Sequence, residues 1–255
     1  MMVRIGNFLF RYRNGLFPLV YLLLAFKSRP VIENYRLAAA TGFAVALPGQ
    51  LLRALTIGLE YIIRGGRNRR AYAENLVQGG LFAHCRNPLY LGNFIILTGV
   101  GIASNSVLFL SLGLSFFLFA YAAIIAAEEN YLRNKFGQEF DDYCARVNRL
   151  LPNFTGIGQT LGSMEFNWRR LISSEYGSTY IWVGAIILVT LKNARLNGEY
   201  ELTRPFICSL WLLVVAISIG YATARYLKKS GRLDDLPRAS SKAIGNSRKS
   251  EENAA

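Results

Sequence analysis

Two short stretches of this sequence hold side chains that could act together on a small charged molecule. One is Arg86-Asn87-Pro88 with Tyr90, at the start of an apolar run; the other is the pair Glu128-Glu129, at the end of the next run. Asn87 followed by Pro88 has the form of a helix start, a capping residue and then proline at the first helical position. The free N–H groups and positive dipole end of that helix would face any anion at its mouth. Arg86, one residue outside, can hold a carboxylate or phosphate through two parallel hydrogen bonds. An anion grip and two carboxylates at one depth suit a zwitterionic ligand with an amine, a carboxylate and a cationic centre that aromatic faces can hold. Each residue also has a plainer reading. Arg86 could be a snorkelling anchor and Tyr90 a member of an interfacial aromatic belt. Glu129 with Arg133 could be a surface pair contributing about 0.2–0.5 kcal/mol.

The elements that must position these groups are membrane helices. Hydrophobic residues make up 52% of the 255, yet the formal net charge is +13, a combination that a soluble domain rarely shows. Apolar runs fall at 16–26, 37–63, 88–104, 106–127, 178–191 and 205–226, to be compared with the roughly 20 residues a spanning helix needs. The fold class read from this is all-α, a polytopic membrane protein of about six transmembrane helices, the first of which must recruit Phe8–Phe10 across Arg11 and Arg13. Only Ala103-Ser104-Asn105-Ser106 separates the third run from the fourth. That predicts a tight helical hairpin (88–127) with Asn105 and Ser106 as turn and cap, and it returns Glu128 to the face where Asn87 begins. Lys and Arg concentrate in 1–15, 64–87, 128–177 and 227–255, which places both termini in the cytoplasm. The membrane would be the inner membrane of a bacterium or the endoplasmic reticulum of a eukaryote.

The basic excess points to the bilayer and its anionic headgroups as partner, with no nucleic acid. Three scattered cysteines (Cys85, Cys144, Cys208) and one histidine, His84, indicate no disulfide framework, no metal and no Ser-His-Asp triad. His84 reads more readily as structural than as a catalyst. Arg53 falls well inside the second run, where a charge costs about 2.5–3.5 kcal/mol or more; it needs a partner, and Glu60, seven residues on, lies on nearly the same helix face, with Gln50 behind. Gly99-Val100-Gly101 has no strand before it and no third glycine, so it reads as helix packing rather than dinucleotide binding.

Between Leu76 and Pro152 the order of elements is a glycine, R-N-P-L-Y-L-G, a hydrophobic hairpin, E-E-x-x-L-x-x-x-F-G, x-x-F-x-x-Y and a final L-P. This resembles the isoprenylcysteine carboxyl methyltransferase and phospholipid methyltransferase superfamily, with Gly49-x-x-Leu52-Arg53 as an upstream echo. The resemblance implies a membrane enzyme with S-adenosylmethionine as cofactor, bound at the cytoplasmic face and closed over by the segment after the Glu pair, and a lipid or isoprenoid-like substrate that enters from the bilayer. Carried over by position, the cofactor contacts would be Glu74, Asn75, Leu76, Val77 and Phe82, then Arg86, Asn87, Pro88, Leu89 and Tyr90, with Glu128 on the cofactor amine. Arg53, Tyr90 and Glu129 are the expected catalytic residues. The chain would divide into N-terminal transmembrane helices (1–63), a methyltransferase core (64–154), C-terminal transmembrane helices (155–227) and a disordered basic tail (228–255).

Two positions depart from the resemblance. Asn87 stands where the superfamily usually has histidine, so no titrating imidazole acts there. Ile124 stands where the isoprenylcysteine branch carries a substrate-binding arginine, which makes a prenylcysteine carboxylate less favoured. The function expected is O- or N-methylation of a membrane lipid; the alternatives are a non-catalytic scaffold and a nicotinamide-dependent enzyme like the sterol reductases.

Overall fold

The computed structural model describes residues 1–59, 64–67, 70–73, 75–200 and 204–233. These residues include eight α-helices: α1 (Met2–Tyr21), α2 (Tyr35–Leu59), α3 (Pro88–Ser104), α4 (Leu114–Phe136), α5 (Gln138–Arg146), α6 (Ile157–Ser163), α7 (Trp168–Leu196) and α8 (Arg204–Lys229). One feature is new to the all-α reading, a short antiparallel ribbon of β1 (Arg64–Arg67) and β2 (Arg70–Ala73). Glu60, Glu74 and residues 234–255, most of the expected basic tail, lie outside the described residues.

The expectation of about six spans is overturned. Among the described residues three helices are long and apolar enough to cross a bilayer: α2, the continuous Phe109–Phe136 helix that contains α4, and α8. The other three runs fall short for different reasons. Residues 16–26 are not one helix, because α1 stops at Tyr21 and a tight turn over Leu22–Leu24 follows; Arg4, Arg11 and Arg13 charge the part upstream. Helix α3 is apolar but has only 17 residues, about 26 Å at 1.5 Å per residue against about 30 Å of hydrocarbon. Helix α7 has 29 residues, but charges near both ends and the Tyr176-Gly-Ser-Thr-Tyr180 stretch dilute its apolar part.

Helices α2 and α3 lie antiparallel with their backbones in contact. A Cβ built on Gly49 would come within 2.6 Å of the Gly92 carbonyl oxygen, and one on Gly92 within 2.8 Å of that of Gly49; Gly42 and Gly99 meet in the same way further along. Glycine is needed at these positions because nothing larger lets the helices approach so closely. The main partner of α3 is therefore α2 rather than its own hairpin arm. Helix α1 runs antiparallel to α4, with Gly6 against Ala123 and the Phe17 ring 5.1 Å from that of Phe117. Helix α7 packs across α2 and α3, and α8 packs along α7. The central core of Ile96, Leu97, Val100, Phe109, Phe117, Trp182 and Ile186 lies between them.

The hairpin turn forms as the sequence suggests. Asn105 adopts the left-handed conformation (φ 54°) that ends α3. Its side-chain oxygen accepts from the N–H groups of Val31 and Ile32 at 2.8 and 2.9 Å. The Ser106 hydroxyl accepts from the Phe109 N–H at 3.3 Å. A single π turn, Phe109–Gly113, then leads into α4.

Candidate functional site

The floor of the site is the segment that leads into α3. A short turn over Gly80–Ala83 begins at Gly80, whose φ of 56° favours glycine. The chain is then laced to the Leu-Leu-Pro segment after α5. The Arg86 N–H donates to the Asn148 carbonyl at 2.9 Å and the Asn153 N–H to the His84 carbonyl at 2.9 Å, while the Cys85 thiol lies 3.3 Å from the Leu150 carbonyl. Both ring nitrogens of His84 are engaged, by the Asn153 carbonyl at 2.7 Å and the Thr160 hydroxyl at 2.8 Å, which suits a structural role. Burial pushes the Cys85 thiol above its ordinary range. From α5, the Tyr143 hydroxyl donates to the Phe82 carbonyl at 2.7 Å.

Helix α3 starts at Pro88 as the sequence indicates, but the Asn87 side chain makes no capping bond. Its buried amide instead donates to the Arg149 carbonyl at 3.1 Å. The Asn87 carbonyl accepts the first helical bond, from the Leu91 N–H at 3.1 Å. One turn on, the Tyr90 hydroxyl donates to a Glu128 carboxylate oxygen at 3.0 Å. That bond joins the mouth of α3 to the end of α4, so the two stretches singled out from the sequence do meet at one end of the molecule.

The neighbouring carboxylate has a different fate. Glu129 is 4% exposed and is held by Arg149, whose Nε lies 3.2 Å from one oxygen and whose Nη2 bonds the other. Arg86 Nη1 approaches the first oxygen at 3.3 Å. Arg86 thus points inward, at Glu129 and the Cys144 sulfur. Its Nε is the one buried side-chain nitrogen or oxygen among the described residues that has no hydrogen-bond partner.

Arg53 belongs to a separate network. Its guanidinium grips Glu175 of α7 through Nε at 2.9 Å and Nη2 at 2.5 Å, and its Nη1 donates to the Asn93 side-chain oxygen. Gln50 also donates to Glu175, at 3.2 Å, and accepts from the Trp182 indole at 2.8 Å. The buried cation has the partner it requires, but that partner is Glu175 from a distant helix. Of the expected cofactor contacts, Asn75 is exposed, Leu76, Val77 and Leu89 are half-buried and Phe82 is buried. Leu76 packs with Phe140 and Tyr143 of α5.

Two cavities lie against Tyr21, Asn93 and Tyr121, and the first of them also reaches Tyr90. The larger, about 450 Å³, is walled by Arg13, Asn14 and Phe17 of α1, with Tyr21, Tyr90, Asn93, Tyr121 and Ile124. The second, about 350 Å³, shares Tyr21, Asn93 and Tyr121 and continues past Ile96 and Val100 to Trp182. The two cavities thus share a wall, with the charged and amide side chains of Arg13 and Asn14 in the first and mostly apolar side chains in the second. Sequence reasoning missed Arg13, Asn14, Asn93, Tyr121, Arg149 and Glu175. Only Glu175 had a visible signal, as an isolated carboxylate in an aromatic, apolar stretch.

Residues 62–139 match the model of the phospholipid methyltransferase family. That segment includes Arg86, Tyr90, Glu128 and Glu129, and leaves out α1 and α7. The chain is 28% identical over 160 residues to the nickel-cobalt-cadmium resistance protein NccN of Alcaligenes xylosoxydans xylosoxydans, covering 59% of this chain and 70% of that protein. It is 29% identical over 114 residues to the cobalt-zinc-cadmium resistance protein CzcN of Cupriavidus metallidurans, covering 45% of this chain and 47% of that protein. No solved structure matches.

Proposed function

The chain belongs to the superfamily of phospholipid and isoprenylcysteine methyltransferases, and from that premise we propose that it transfers a methyl group from S-adenosylmethionine to a lipid-like acceptor at the membrane. The observation that carries this reading is the 3.0 Å bond from Tyr90 to Glu128, which fixes a carboxylate at the mouth of α3 beside the Tyr90 cavity.

The residues present fit such a cofactor. Glu128 is half-buried and can receive an ammonium group. The first N–H groups of α3 favour a carboxylate, and Arg86 keeps one donor without an acceptor. When bound, the cofactor supplies an electrophilic methyl on a sulfonium. The work left to the protein is alignment and exclusion of water. Tyr90 orients Glu128, and α5 braces Phe82. Glu129 acts as a positioning residue that holds Arg86, and Arg53 as one that holds Asn93. An amine acceptor must lose a proton, for which Glu128 and Tyr90 are the groups at hand, whereas a carboxylate or phosphate acceptor needs no base. We place this end on the cytoplasmic side, where the Lys and Arg excess lies.

The test uses protein purified in nanodiscs with labelled S-adenosylmethionine and a membrane lipid extract. The lipid fraction is expected to acquire label. Glu128→Ala should weaken cofactor binding about ten- to a hundredfold, as losing a hydrogen bond to a charged group implies, while the melting temperature holds. Binding of reduced nicotinamide in place of S-adenosylmethionine, or of neither, ends the reading. Because the two relatives are named for metal resistance, cells lacking the gene are also expected to grow less well on nickel, cobalt or cadmium salts.

A further inference from the structure

Arg13 enters the larger cavity from α1, outside the residues that the family model matches. Its guanidinium carbon lies 4.3 Å from the centre of the Phe10 ring, and it is half-buried. Among the described residues no carboxylate pairs with it. A partly desolvated cation without a counter-charge is a cost that a bound anion would offset.

The remaining polar lining has the same sense. No lining residue is Asp or Glu. The Asn93 oxygen is occupied by Arg53, which leaves its NH₂ group for the chamber. Asn14 adds a further amide, and Tyr21 and Tyr121 add phenols. The wall offers a positive charge and hydrogen-bond donors, so it suits a group rich in acceptors. The adjoining chamber runs past Ile96 and Val100 to Trp182 and suits an acyl or prenyl chain.

We propose that Arg13 is the specificity-determining residue of this protein, and that it selects an amphiphile with an anionic head, carboxylate or phosphate, whose chain lies in the Trp182 chamber. That this amphiphile is the methyl acceptor rests on the methyl-transfer reading; its binding does not.

Trp182 supplies the probe. With Trp168→Phe and Trp211→Phe it becomes the single tryptophan of the full chain. The protein, in nanodiscs of neutral lipid, is titrated with a dibrominated stearate, with the phosphate ester of the same brominated chain, and with its trimethylammonium analogue. Saturable quenching of Trp182 is expected at concentrations at least about tenfold lower for the two anions than for the cation, as a charge-assisted contact implies. Whichever anion saturates first names the head. Arg13→Gln should abolish the preference and Arg13→Lys should keep most of it, both with unchanged S-adenosylmethionine affinity. Quenching without head preference, no quenching at all, or a preference that survives Arg13→Gln would overturn the proposal. So would an Arg13→Gln variant that weakens S-adenosylmethionine and leaves the amphiphile alone, since the residue would then belong to the cofactor. Selective amphiphile binding without any methylation would instead sink the methyl-transfer reading and leave this one standing.

Discussion

Glu128 and Glu129 are adjacent in the chain and opposite in circumstance. Glu129 is buried between two guanidinium groups, with both oxygens occupied. Glu128 is half-open, with the Tyr90 hydroxyl as a bonded neighbour. On a helix, consecutive residues point about 100° apart, so a carboxylate pair presents one charge to the protein interior and one to the Tyr90 hydroxyl at the helix mouth. The same contrast separates the two regions. The Arg86–Glu129–Arg149 cluster is an ionic knot whose carboxylate is fully engaged, while the Arg13 chamber sets a cation, amides and phenols around a cavity with no carboxylate in its wall. A closed knot makes structure, and an open one makes a binding site.

The harshest way to break the comparison is Glu129→Ala. It strands half-buried Arg86 and should cost about 3–5 kcal/mol, read as a large fall in melting temperature in detergent; a variant that melts with the native protein would move Glu129 into the binding site. Glu175→Ala should follow closely, since it leaves Arg53 uncompensated among apolar helices. Replacing both members, Arg53→Met with Glu175→Leu, should recover much of that loss, and failure to recover would give the pair a role other than fastening α2 to α7. Tyr90→Phe should act on the open side alone, lowering S-adenosylmethionine affinity several-fold to tenfold with the melting temperature unmoved.

The smallest effect concerns the cysteines behind the knot. Cys85 is 2% exposed, and its thiol is pushed up by burial, so a maleimide at neutral pH should modify half-buried Cys144 well before it. Because the folded thiol titrates above the unfolded one, its contribution to stability is complete below about pH 8.5, the ordinary thiol value. It is lost as pH rises beyond that, so the melting temperature should sag on the alkaline side, and Cys85→Ser should flatten that sag.

What could be read in advance was what is encoded locally. Asn87-Pro88, the four-residue reversal at Asn105 and the doubled glutamate each declare themselves within a few residues, and together they fix which helix ends must meet. The number of spans was not legible in that way. Helix α3 has apolar composition but lacks the length, because Asn105 stops it one turn early for a bilayer. Helical periodicity points Arg53 to Glu60, yet its partner is Glu175, 122 residues away, through a packing of α7 that no periodicity encodes. Arg13 was hidden for a related reason. It sits in a run whose pattern speaks of membrane insertion, and only the antiparallel docking of α1 on α4 turns it toward Tyr90 and Tyr121.

The π turn at Phe109–Gly113 has a consequence for which changes this helix can accept. A π turn holds one residue more than the α-helix around it, so it is slack stored upstream of both glutamates. Removing a single residue from 109–113 would let the turn tighten to ordinary α geometry and leave Glu128 and Glu129 aimed as before. The same deletion between Ala120 and Ala127 has no slack to draw on: it would swing the end of the helix by roughly 100°, carry Glu129 to the outer place and bring Asn130 to the buried one. Length and phase are uncoupled at one end of this helix and locked at the other.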